Sequence, residues 1–207
     1  MVEDKVFTKE ELEAMGHRTL DLLQNAIDGG EKETAKKLAK RMYNEFSAMH
    51  DLYRDWLTDL FSFVGRHFGD ETLSKALEET VSNFTNRVAD RYAHKDPGRQ
   101  VKILAAGLRG HLQPLQIEED EEKFIIKLAP CGSGGRQVQE GLYDPPTNLL
   151  KVEKSQPMTF DRPNFPVYCA HCFFQNMVTV EPDGKPLFIV EPAKEIGKDP
   201  CSFYLYK

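Results

Sequence analysis

Proline is nearly missing from the first half of this chain. Residues 1–113 hold one, Pro97, and residues 114–207 hold the other eleven. The first half therefore admits long helices and the second excludes them. No run approaches the roughly eighteen apolar residues that a membrane span requires, so no membrane partner is expected. The start, MVEDKVFTKEEL, is charged and lacks the apolar stretch of a secretory signal, which points to the cytoplasm. Positive charge is in deficit. The formal net charge is −6, Lys and Arg are scattered, and no basic stripe alternates with aromatics, so nucleic acid is not an expected partner. Cysteine is sparse too, with four in 207 residues. In a reducing compartment, clustered thiols serve as metal ligands or catalytic groups more often than as structural disulfides. No Ser/His/Asp set and no HExxH motif is visible.

Apolar residues at helical spacing place four helices in residues 1–113. Thr8 and Glu11 read as a capping box ahead of Leu12, Met15, Leu22 and Ile27, and Gly29-Gly30 stops that helix. The next helix begins near Glu31. Its Met42, Phe46, Met49, Tyr53, Trp56, Leu60 and Phe63 alternate steps of four and three. That continuous stripe is expected to form core in an antiparallel bundle, with Trp56 largely buried. Gly69-Asp70 ends this helix and caps a third, which carries Leu73, Leu77, Val81, Phe84, Val88 and Tyr92. Asp96-Pro97 is an N-cap followed by proline at the first helical position of a fourth helix, running to about Leu112. After Pro114 the period changes. FIIKLAP and PLFIVEP are short apolar runs punctuated by proline and read as strands, and SFYLYK closes the chain with alternating aromatics. EPDGKP reads as a turn, and EEDEE (118–122) as a solvated turn before the first strand. The expected fold class is α+β. An N-terminal antiparallel helical bundle, residues 1–113, packs on a small cysteine-containing antiparallel sheet module, residues 114–207, either as two domains or as one compact unit.

The module carries the chemistry. Cys169 and Cys172, in YCAHCFF, have the spacing that lets two thiolates grip one metal ion, and Cys131 and Cys201 complete the four sulfurs of a structural zinc site. Each of these two follows a proline at a strand boundary. An iron–sulfur cluster would accept the same four residues. Four buried thiols that never meet is the plain alternative, since cores accept cysteine readily. His171 lies between the paired cysteines and could ligate or support a bound group. CGSGGR (131–136) could bind an anion through its amides with help from Arg136, or simply turn the chain. His111 lies near the apolar face of the fourth helix, where it would reach a cavity beside the module.

The strand ending in a cysteine (FIIKLAPC), the cysteine pair and the final DPCSFYLYK together give residues 120–207 an organisation that resembles the 4-vinyl reductase type of small-molecule-binding domain and the related aminothiazoline carboxylate hydrolase-like proteins. The resemblance implies an α+β module with Cys131, Cys169, Cys172 and Cys201 on a metal and a small organic ligand nearby. Three functions are expected from these features. The first is a metal-binding sensor or pathway accessory for a small, anionic ligand, held by Arg136, His111 and His171. The second is a hydrolase or lyase that uses the metal or Cys131. The third is an assembly protein that uses the helical half as a docking surface; separately, the chain could form a homo-oligomer.

Overall fold

The computed structural model of the chain describes residues 6–178, 184 and 186–207. The chain divides into two compact units, Met1–Leu52 and Tyr53–Lys207. The first holds α1 (Lys9–Gly16), α2 (Thr19–Asp28) and the start of α3 (Lys32–Val88). The capping box is present, with Glu11 N donating to Thr8 Oγ1 and Thr8 N to Glu11 Oε2. The single helix expected from Leu12 to Ile27 is broken at His17, whose extended backbone (ψ 138°) separates α1 from α2. Gly30, at φ +70°, marks the stop after α2.

The second unit begins within α3, which is interrupted at Gly69 (φ 79°, ψ 172°), the position the sequence marks as a boundary. α4 (Pro97–Arg109) starts as expected, with Asp96 Oδ1 accepting from Arg99 N. The division expected at residue 113 lies inside this unit, because both helical segments bury their apolar faces on the C-terminal half. Leu73, Leu77 and Val81 pack with Tyr143, Leu149, Val152, Met158, Val167 and Phe174. Val101, Leu104, Ala105 and Leu108 pack with Ile126, Leu128, Val190, Phe203 and Leu205.

The fold is α+β: long N-terminal helices, then antiparallel sheets in the half that holds the cysteines. Strands β1 (Leu115–Glu119), β2 (Lys123–Leu128), β5 (Ile189–Glu191) and β6 (Cys201–Tyr206) form an antiparallel sheet in the order β1-β2-β6-β5. Register sets Ile126 opposite Phe203 and Leu128 opposite Cys201. A second, two-stranded sheet pairs β3 (Lys151–Val152) with β4 (Phe165–Pro166). The acidic run is half strand: Glu118 and Glu119 belong to β1, and Asp120 turns the chain by accepting from Glu122 N and Lys123 N. The turn expected over 181–186 lies mainly outside the described residues. Among the described residues no helix is long and apolar enough to cross a membrane.

The apolar stripe of α3 is not core. In the first unit Met42, Phe46 and Met49 are exposed, and in the second Tyr53, Trp56, Leu60 and Phe63 are exposed, with Trp56 at 67%. The buried face of α3 before Gly69 carries Arg54, Thr58, Phe61 and Ser62. Hydrogen bonds select that face. Gln137 Nε2 donates to Thr58 Oγ1 and Asp55 Oδ1, both at 2.9 Å, and Leu150 N donates to Ser62 Oγ at 3.0 Å. Arg54 pairs with Asp55 and Glu140, each at 2.7 Å. Thr58 and Ser62 also donate to carbonyls four residues back, so their hydroxyls are buried with partners.

Candidate functional site

Three separate stretches deliver the cysteines to one place. Because Leu128 pairs with Cys201, Cys131 emerges three residues later at the same end of the sheet. Cys169 lies in a 3₁₀ turn, Val167–Ala170, that runs directly into α6 (His171–Gln175), the helix carrying Cys172. All four cysteines line one cavity of about 60 Å³, whose apolar walls include Leu108, Leu128, Val190 and Phe203. None of the four is in a disulfide.

CGSGGR makes the corner that allows this approach. Gly132 N donates to Gln113 Oε1 at 2.7 Å. A Cβ at Gly132 would stand 1.7 Å from the carbonyl oxygen of His111, and one at Gly134 would stand 2.5 Å from Cys169 Sγ. Glycine is required at both for space. The short helix α5 (Gly134–Gln139) begins at once, and the amides of Ser133, Gly135 and Gly134 hydrogen-bond the Cys131 sulfur. Arg136 closes the same corner. Its Nε donates to Gly132 O at 2.9 Å and lies 3.7 Å from Glu140, and it is not among the residues lining the cavity.

The thiols are strongly perturbed. Burial pushes Cys172 up to about 12. Burial, then the neighbouring Cys131, pushes Cys201 up to about 12. Cys169 rises well above the usual thiol value, first from burial and then from Cys172, Cys131 and Cys201. Burial also raises Cys131, outweighing its three amide donors. A redox-active pair at a helix start has a depressed thiol pKa; this pair is displaced the other way. Thiols this close cannot ionise together in a low-dielectric cavity unless a cation joins them.

Two histidines reach the cavity. His171 Nδ1 bonds the carbonyl oxygen of Tyr168, so that nitrogen carries the proton, and burial holds the ring neutral. Nε2 is then the lone-pair nitrogen, 3.7 Å from Cys172 Sγ. His111 Nδ1 lies 2.5 Å from Ser133 Oγ, and Ser133 in turn bonds the Tyr168 side chain. Burial raises the Tyr168 phenol despite that bond. Ser133 lies within the CGSGGR motif, whereas Tyr168 and Gln175 carry no periodic or spacing signal that would have marked them as site residues. His50, by contrast, pairs with Asp51 in the first unit.

A larger cavity of about 500 Å³ adjoins, sharing Leu108, His111, Gln175 and Phe203 with the first. Its other walls include Phe84, Tyr92, Leu104, Phe188 and the cation Arg91.

Among the described residues no group of three or more His, Cys, Asp or Glu side chains is placed so that it could hold a metal ion. The four cysteines share the lining of one cavity. No protein-family model, no curated protein and no solved structure matches the chain.

Proposed function

We propose that this chain is a metal-binding protein, with zinc held by Cys131, Cys169, Cys172 and Cys201, that takes a small organic ligand as a sensor or pathway accessory. One observation carries the reading: four unbridged cysteines from three distant stretches line one small cavity. Burying that many thiols without a disulfide is explained if a cation replaces their protons. Zinc–thiolate bonds of about 2.3 Å would draw the sulfurs inward, and metal binding of this kind is coupled to local folding. His171, with Nδ1 committed to a carbonyl and Nε2 toward Cys172, fits either a substitute ligand or a group hydrogen-bonded beside the metal. The adjoining cavity suits the ligand in size and apolar lining, and Arg91 at its wall favours a carboxylate.

A second reading, a hydrolase or lyase, has one observation behind it. His111 bonds Ser133 and faces both cavities, where an acid–base group would serve. Cys131 is a poor nucleophile at its raised pKa, so this reading depends on a metal with an open position. Elemental analysis of protein purified without air tests both. About one zinc per chain is expected, lost in Cys131→Ser and Cys172→Ser. Iron with acid-labile sulfide would mean a cluster instead, and protein that binds no metal when supplied with zinc or iron sinks the proposal. X-ray absorption separates four sulfur ligands, which leave no place for substrate, from three sulfurs and water.

A further inference from the structure

The exposed apolar face of α3 is the largest feature that the proposed metal and ligand site leaves unexplained. In the second unit Tyr53 is 57% exposed, Trp56 67%, Leu57 42%, Leu60 52% and Phe63 51%. They lie within eleven consecutive positions of one helix, opposite in character to its buried Thr58 and Ser62. Monomeric proteins seldom show contiguous apolar patches beyond a few hundred Å².

We infer that this face of α3 is a helix-to-helix interface with a second copy of the chain. The spacing specifies a helix as the occupant. Steps of three and four keep one seam facing a partner helix of the same pitch. The same steps continue upstream in sequence through Met49, Phe46 and Met42 of the first unit, each of which is also exposed. The helices available identify the partner. α1, α2 and α4 span 8, 10 and 13 residues, and α4 has its apolar face on the sheet. Leu12 and Met15 of α1 and Leu20 and Ile27 of α2 are exposed too, but α3 carries the longer run, so two copies satisfy each other through a two-fold, self-complementary contact. Area is sufficient. Five large side chains half exposed present roughly 500 Å² per copy, about 1,000 Å² in all, which is the lower bound of a specific interface. A membrane surface fits poorly. Residues 53–63 hold one cation, the buried Arg54, and the net charge is −6, whereas interfacial helices carry a Lys- and Arg-rich polar face.

Trp56 is the only tryptophan and reports on its own face. The test uses the full chain in sedimentation equilibrium and light scattering from about 1 to 50 µM, with Trp emission measured over the same range. Two copies are expected at the upper end, with blue-shifted emission that moves red on dilution. Trp56→Gln with Leu60→Gln should weaken association at least about 30-fold, as loss of central aromatic anchors does, while leaving helical content and cysteine-bound metal unchanged. A wild-type chain that stays monomeric at about 50 µM overturns the inference, whether its Trp is exposed or shielded by the chain's own residues. So does a dimer that the double variant leaves intact. Should the variant fail to fold, the coupling of Trp emission to dilution in the wild type decides alone.

Discussion

Two glycines in the second unit bracket what a single methyl can do. At Gly132 an added Cβ meets the His111 carbonyl at 1.7 Å, and backbone cannot yield as a side-chain end can. Gly132→Ala should therefore cost about 3 kcal/mol or more and disturb the cysteine cavity. At Gly107, inside α4, an added Cβ meets nothing within 4 Å. Gly107→Ala should stabilise by about 1 kcal/mol, because helix interiors favour alanine. Urea denaturation of the two variants should give opposite signs. The thiols supply a second prediction. Cys172 and Cys201 are pushed up to about 12 by burial, whereas an unfolded thiol titrates near about 8.5. The folded chain keeps protons that the unfolded chain gives up between those values. Metal-free stability is thus full below about pH 8.5 and falls as pH rises toward 12. The metal-loaded protein should instead lose its ion as pH falls, because protons compete for sulfur. Melts at acidic, neutral and alkaline pH, with and without chelator, check both slopes. A metal-free protein equally stable at either pH would show that the thiols are not buried as neutral groups.

At the scale of elements, α3 shows what periodicity can and cannot decide. Leu77 lies after Gly69 on a face that is fully buried, and Leu77→Ala should cost about 2–5 kcal/mol at any protein concentration. Leu60→Ala, on the exposed seam, should cost little at high dilution and more as the chains associate. Thermal melts over a range of concentrations separate the two; a Leu60→Ala cost independent of concentration would return that residue to an intramolecular core. Helix starts and stops were legible because their causes lie within four residues. Thr8 with Glu11, Gly29-Gly30, Gly69 and Asp96-Pro97 act as caps or breaks through local geometry. The break at His17 follows Gly16, a local stop signal that the single helix expected from Leu12 to Ile27 passes over. β1 was hidden because its Glu118 and Glu119 face solvent at a sheet edge, so that hydrophobicity does not mark them.

For the whole molecule, the two units make different predictions about metal. All four cysteines belong to Tyr53–Lys207. Metal loading should slow amide exchange around 129–136, 167–175 and 201–206 and leave residues 6–52 unchanged. Exchange measured with and without zinc checks this, and equal protection in both states would separate the cavity from any metal. The sequence by itself determined that helices precede strands, because eleven of twelve prolines lie after residue 113, and it located the caps at Thr8 and Asp96 and the breaks at Gly30 and Gly69, each formed by a few neighbouring residues. Only the tertiary structure decided which face of α3 is buried and that four scattered cysteines share a cavity. The first depends on hydrogen bonds such as Gln137 to Thr58, between residues 79 apart. The second depends on the β2–β6 register and on glycines that let backbone pass within contact of backbone. Such long-range pairings leave no period in the chain, because nothing local fixes which distant residue will supply the partner.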